Sequence, residues 1–136
     1  MKIQIPTADL LKNRPLTPGW YDAKFVKFEA KPTNDKKSTN FIATFIIKKD
    51  EREMEALWSM KALGMMEKFV ITITAREPEI DPNTGNPKPL DFEPEDYFGR
   101  ELQVKIDNDQ FDGRLISKIK DFLPKGANVN EGQFTV

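Results

Sequence analysis

Residues 99–107 alternate strictly: Leu102, Val104 and Ile106 fall on one side, and Glu101, Gln103, Lys105 and Asp107 on the other. A period of two with one apolar and one charged face specifies a half-buried strand, and strands of this kind belong to antiparallel sheets with one wet side. The same reading extends to three earlier stretches. Trp20 to Glu29 begins with Tyr21, Ala23 and Phe25 on one face, but its next apolar residues, Val26 and Phe28, fall out of step. A strand that changes face midway predicts a β-bulge or sharp bend near Phe25 and Val26. Thr39 to Lys48 is rich in β-branched and aromatic residues, and Glu53 to Trp58 places Met54, Ala56 and Trp58 together.

Between the third and fourth strands the period changes. Leu63, Met66, Phe69 and Val70 recur at helical spacing, with Ser59 as the expected N-cap. Residues 76–98 then hold five of the ten prolines and carry seven acids against Arg76 and Lys88. This predicts a long acidic, Pro-rich insertion with its turn at Asp81 to Asn86. After the alternating strand, Asn108-Asp109 is expected to turn the chain into a last strand between Phe111 and Phe122. Residues 1–18 are expected to be an N-terminal arm with a short helical turn at Thr7 to Leu11, residues 19–124 the folded domain, and residues 125–136 a C-terminal tail.

Strand, strand, strand, helix, loop, strand, strand is the order of an OB-fold. The expected class is therefore all-β to α+β: a five-stranded OB-fold barrel with a helix between strands 3 and 4. The bulge in the first strand agrees, because one strand of such a barrel serves two sheets.

Composition narrows the chemistry. With no Cys and no His, thiol nucleophiles, zinc thiolates, Ser-His dyads and the commonest general base are excluded. The expectation is a binding protein rather than an enzyme, with no cofactor. The acidic run at 91–96 lacks a calcium-loop pattern, and no metal is expected. No apolar run approaches membrane-spanning length, so a cytoplasmic protein is expected.

The net charge of −1 conceals segregation: residues 76–98 carry −5, so the remainder carries +4. Lys24, Lys27, Lys31, Lys36, Lys37, Lys48, Lys49 and Arg52 lie in the first half. A basic face beside flat side chains is what sequence-tolerant binding of single strands requires, cations for phosphates and rings for bases. Lys24 and Lys27 lie on opposite faces of a regular strand, and on one face if the bulge intervenes. Lys36 and Lys37 would clamp a backbone from the loop before strand 2. Lys48 and Arg52 flank the next turn, and Arg114 would extend the track on strand 5. For Phe41, Phe45 and Trp58 two readings stand: core, or a stacking platform on strands 2 and 3. Trp20, just after a turn, has no assigned face.

Two stretches also resemble a group of small single-stranded-DNA-binding proteins of bacteriophages, which have this fold. One runs from Pro18-Gly19-Trp20-Tyr21-Asp22-Ala23 through Lys36-Lys37-Ser38-Thr39-Asn40 into Phe41-Ile42-Ala43-Thr44-Phe45. The other is Phe98-Gly99-Arg100-Glu101-Leu102-Gln103-Val104, followed by Gly113-Arg114 and Ile119-Lys120-Asp121-Phe122-Leu123-Pro124. The resemblance covers residues 16–124. It implies coating of single-stranded DNA in phage replication or recombination, in the host cytoplasm, with replication or recombination proteins as further partners. The oligomeric state, monomer or dimer, stays open. The chain departs from many such proteins at its end, where one acid in the last nine residues makes no acidic tail. A competing expectation is a protein-interaction or virion-associated module that works through the acidic Pro-rich loop.

Overall fold

The computed structural model describes residues 1–4 and 14–127; the helical turn expected at 7–11 and the tail from 128 lie outside them. Five strands make one antiparallel sheet: β1 (Gly19–Pro32), β2 (Thr39–Ile47), β3 (Arg52–Ser59), β4 (Glu101–Phe111) and β5 (Arg114–Pro124). Their order is β3-β2-β1-β4-β5. One helix, α1 (Gly64–Thr74), and a 3-10 turn (Pro94–Tyr97) lie between β3 and β4.

β1 is the organising strand. Its first part, Gly19 to Lys24, pairs with β4, and its second part, Ala23 to Pro32, pairs with β2. The change occurs at a bulge where the register steps from Phe25 to Lys27 and leaves Val26 unpaired. The extra residue restores Phe28 to the core side, which accounts for the broken alternation in the sequence. Backbone bonds from Phe25 N to Arg100 O (2.9 Å) and from Gly99 N to Phe25 O (2.7 Å) fasten the bend. Antiparallel pairing throughout makes β3 and β5 run in the same sense, and these outer strands approach within 8 Å between Cα atoms.

The core is aromatic. Phe25, Phe45, Phe69 and Phe122 are fully buried, with Trp58 stacked on Phe69 at 5.4 Å and 24°. Phe69 reaches this cluster from α1, whose buried side also carries Val70, Ile73 and Thr74. Burial of a side chain this size stabilises by about 1.5–3 kcal/mol, so packing outweighs the weak helix propensity of a β-branched segment. The helix ends at Ala75 in left-handed conformation, and Arg100 Nη1 donates to the Ile73 carbonyl at 3.1 Å.

Several expectations are corrected. Ser59 ends β3 and does not cap the helix; its Oγ accepts from Lys61 N, and Leu63 occupies the N-cap without a side-chain bond. Asn108 and Asp109 continue β4, because their side chains find partners across the ladder in Ser117, Lys118 and Lys120. The hairpin turns instead at Asp112-Gly113, both with positive φ (54° and 74°), the geometry that matches strand twist and favours Asp-Gly. Leu16 is part of the core; its N–H donates to Ser117 Oγ (2.7 Å) and its carbonyl accepts from Asn108 Nδ2 (3.1 Å). Residues 76–98 hold a bridge between Ile80 and Pro87 and are anchored by Phe92 and Tyr97, which pack against the core. No helix among the described residues is long and apolar enough to cross a membrane.

Candidate nucleic-acid interface

The bulge at Val26 decides which lysines share a face. Without it Lys24 and Lys27 would point to opposite sides; with it both stand exposed on the outer face of β1, in line with Lys31. The strand then passes into the loop 33–38, which presents Lys36 and Lys37. That loop is held from within. Thr33 Oγ1 donates to Asp35 Oδ1 (2.5 Å), Lys37 N donates to the same oxygen (3.0 Å), and Thr33 N donates to Ser38 O (3.0 Å). The bond from Thr33, then that from the Lys37 amide, holds the Asp35 carboxyl below its usual range. Lys36 adopts a positive φ at the tip. Lys24, Lys36 and Lys37 form no ion pair among the described residues, while Lys27 (2.8 Å) and Lys31 (3.2 Å) both hold Glu29.

Beside this row runs an uncharged strip. Asn40, Ile42, Thr44 and Ile46 of β2 face outward next to β1, followed by Glu53, Glu55 and the exposed Leu57 of β3. The acids of β3 lie in register two strands from Lys24 and Lys27. On this part of the sheet the exposed cations therefore stand on β1, while the face of strands 2 and 3 expected to carry them presents Glu53 and Glu55. On the other flank, Trp20 is half-buried opposite Lys105, and Lys24 lies opposite Glu101. Glu101 pairs with Lys48 and with Lys125 (2.6 Å); the Lys125 and Lys48 bonds pull its carboxyl down to about 2.

The aromatic candidates are corrected by burial. Phe45 is 0 % and Trp58 7 % exposed, both on the inner face with Phe69 and Phe122, so neither offers a ring to a base. Phe41 is half-buried on that same side, against Phe28 at 6.0 Å and 29°. The reason is register: β2 turns Phe41, Ala43, Phe45 and Ile47 inward together, and covering four apolar residues outweighs exposing Ile42 and Ile46.

The opposite end of the sheet joins the expected Arg52 and Arg114 to residues that the sequence did not single out. Arg14, Arg52 and Arg114 line a groove of about 390 Å³ with Phe111, Leu115 and Ile116. Phe111 is 65 % exposed beside the Asp112-Gly113 turn. The Asp-Gly pair was the available signal, because it moves the turn and leaves Phe111 at the hairpin tip. Arg114 forms no ion pair among the described residues. Arg52 is committed to the fold: its Nε donates to Asp50 Oδ2 (2.7 Å) and its Nη1 to Arg14 O (2.6 Å). The structure thus aligns Lys24 and Lys27 with Lys31 on β1, exposes Lys36 and Lys37 in the loop that follows, gathers Arg52 and Arg114 at the far end, sets Lys48 on Glu101, and removes Phe45 and Trp58 to the core. Among the described residues no group of three or more acids is placed to hold a metal ion.

In comparison with known proteins, the chain matches no family model and no curated sequence.

Proposed function

We propose that the chain is an OB-type barrel that binds single-stranded DNA with little sequence preference. The observation that carries this reading is the lysine row of β1. A bulge aligns Lys24 and Lys27 with Lys31, and β1 leads into an internally bonded loop whose Lys36 and Lys37 form no ion pair among the described residues. Such a row suits a phosphate backbone, and the outward Ile42, Ile46 and Leu57 offer bases an apolar bed beside it. At the far end Phe111 supplies a ring and Arg114 a cation.

Four features support the barrel: the order β3-β2-β1-β4-β5, a bulged β1 shared between two partners, co-directional β3 and β5 close together, and a helix between β3 and β4. In barrels of this kind the loop between strands 1 and 2 and the loop between strands 4 and 5 flank the oligonucleotide. Here those loops are 33–38, which bears Lys36 and Lys37, and Asp112-Gly113, which adjoins Arg114 of β5. The resemblance to phage proteins extends the proposal to coating single strands in phage replication or recombination. No catalytic step is part of it.

The test is anisotropy of a labelled oligo(dT) of about 30 nucleotides, repeated with duplex and at rising salt. Tighter binding to the single strand, with affinity falling linearly on logarithmic axes, is expected. Absence of binding at low salt overturns the proposal.

A further inference from the structure

A second groove lies away from the lysine row, between α1 and the chain that follows it. It encloses about 920 Å³. Met66, Val70 and Ile71 form the helix wall; Pro87, Leu90 and Phe92 form the other. The far wall is built rather than slack. Lys88 N donates to Glu79 O, Asp81 N to Asn86 O and Gly85 N to Asp81 O, each at 2.8 Å. Phe92 roots it in the core, with its ring 5.7 Å from Phe28 and 6.0 Å from Phe69.

The groove has a definite chemistry. Its floor is apolar, and Leu63 and Leu90 on its margin are exposed, as is Ile80 on the adjoining bridge. Its rim carries Glu67, Glu77, Glu79 and Asp91 against Arg76 and Lys88, and Lys88 is already drawn to Glu79 at 3.8 Å. An apolar surface with a net negative rim repels a phosphate backbone and attracts an apolar segment flanked by cations. The walls also restrict the form of that segment. One wall is a helix, which presents side chains only. The other contains Pro78, Pro87 and Pro89, which lack N–H groups. The prolines weaken strand addition at this wall, so the groove favours an occupant that satisfies its own backbone hydrogen bonds, as a helix does.

We propose that this groove docks a basic amphipathic helix of a partner protein, with apolar residues at i, i+3 and i+4 in the groove and Lys or Arg over the acidic rim. The proposal is independent of the DNA reading and uses a different surface.

The probe is a synthetic helical peptide of about 14 residues, with Leu at i, i+3, i+4 and i+7 and Lys elsewhere, beside a twin with Glu for Lys. Each is titrated into the full chain labelled with ¹⁵N. The Lys peptide is expected to shift the amides of Met66, Val70, Ile71, Leu90 and Phe92 saturably, with the Glu twin at least about tenfold weaker. The variant E77K/E79K/D91K changes exposed side chains only. It is expected to keep its melting temperature while weakening the Lys peptide by about tenfold or more. Shifts confined to other surfaces, equal binding of the two peptides, or a charge-reversed variant that binds as tightly as the parent overturns the proposal.

Discussion

Phe111→Ala separates binding from folding. The ring is 65 % exposed and makes no aromatic contact among the described residues, so its loss should alter stability by no more than about 0.5 kcal/mol. If a base stacks on it, the same change removes about 1–3 kcal/mol of binding, a ~5- to 150-fold rise in Kd. Trp58→Ala is the matched opposite. Trp58 is 7 % exposed, stacked on Phe69 at 5.4 Å and 5.9 Å from Phe122, so truncation should cost about 3–5 kcal/mol of stability. That is a large share of the ~5–15 kcal/mol that holds a domain together. Urea unfolding and oligo(dT) anisotropy on both variants read the two quantities side by side. Unchanged oligo(dT) affinity in Phe111→Ala would refute stacking at the hairpin tip. A Trp58→Ala protein of parental stability that no longer binds would refute the burial argument.

Three further outcomes follow from the charges. Lys36→Ala with Lys37→Ala should leave the melting temperature in place and flatten the logarithmic salt slope by about 1.4, two phosphate contacts on a single strand; an unchanged slope removes the loop from the interface. Glu101→Gln releases Lys48 and Lys125, so oligo(dT) should bind more tightly with a slope steeper by up to about 1.4; weaker binding in a folded variant would show that Glu101 positions these lysines for DNA. Because the Glu101 carboxyl is lowered from 4.5 to about 2 in the fold, its stabilising contribution is complete above pH 4.5 and is lost as pH falls towards 2. Thermal melts should show this acid loss in the parent and a shallower one in Glu101→Gln, and identical pH profiles would contradict it.

What the sequence determined by itself is what depends on near neighbours. Alternation at Leu102, Val104 and Ile106 was enough to place the inner face of β4, and Met54, Ala56 and Trp58 that of β3, because side chains two apart on a strand share a side wherever the strand sits. The broken alternation at Phe25 and Val26 located the bulge for the same local reason. Helical spacing found the α1 side that buries Phe69 and Val70, although the β-branched Ile71 to Thr74 obscured its end.

What only the tertiary structure decided is what each face meets. Phe41 and Phe45 formed a set from the sequence alone, but the set is equally consistent with core and with platform until β2 lies between β1 and β3 over Phe69 and Phe122. The cations were sorted in the same way. Lys48 and Lys125 meet Glu101 from separate parts of the chain, whereas the side chains of Lys36 and Lys37 form no ion pair among the described residues, and residue spacing does not encode that difference. The second groove has no signature in either wall, since α1 and the proline-rich segment become one surface only where Phe92 docks on Phe28 and Phe69. Periodicity is a property of one element; charge pairing, burial and concavity belong to pairs of elements, and the ladder register and core packing set those pairs.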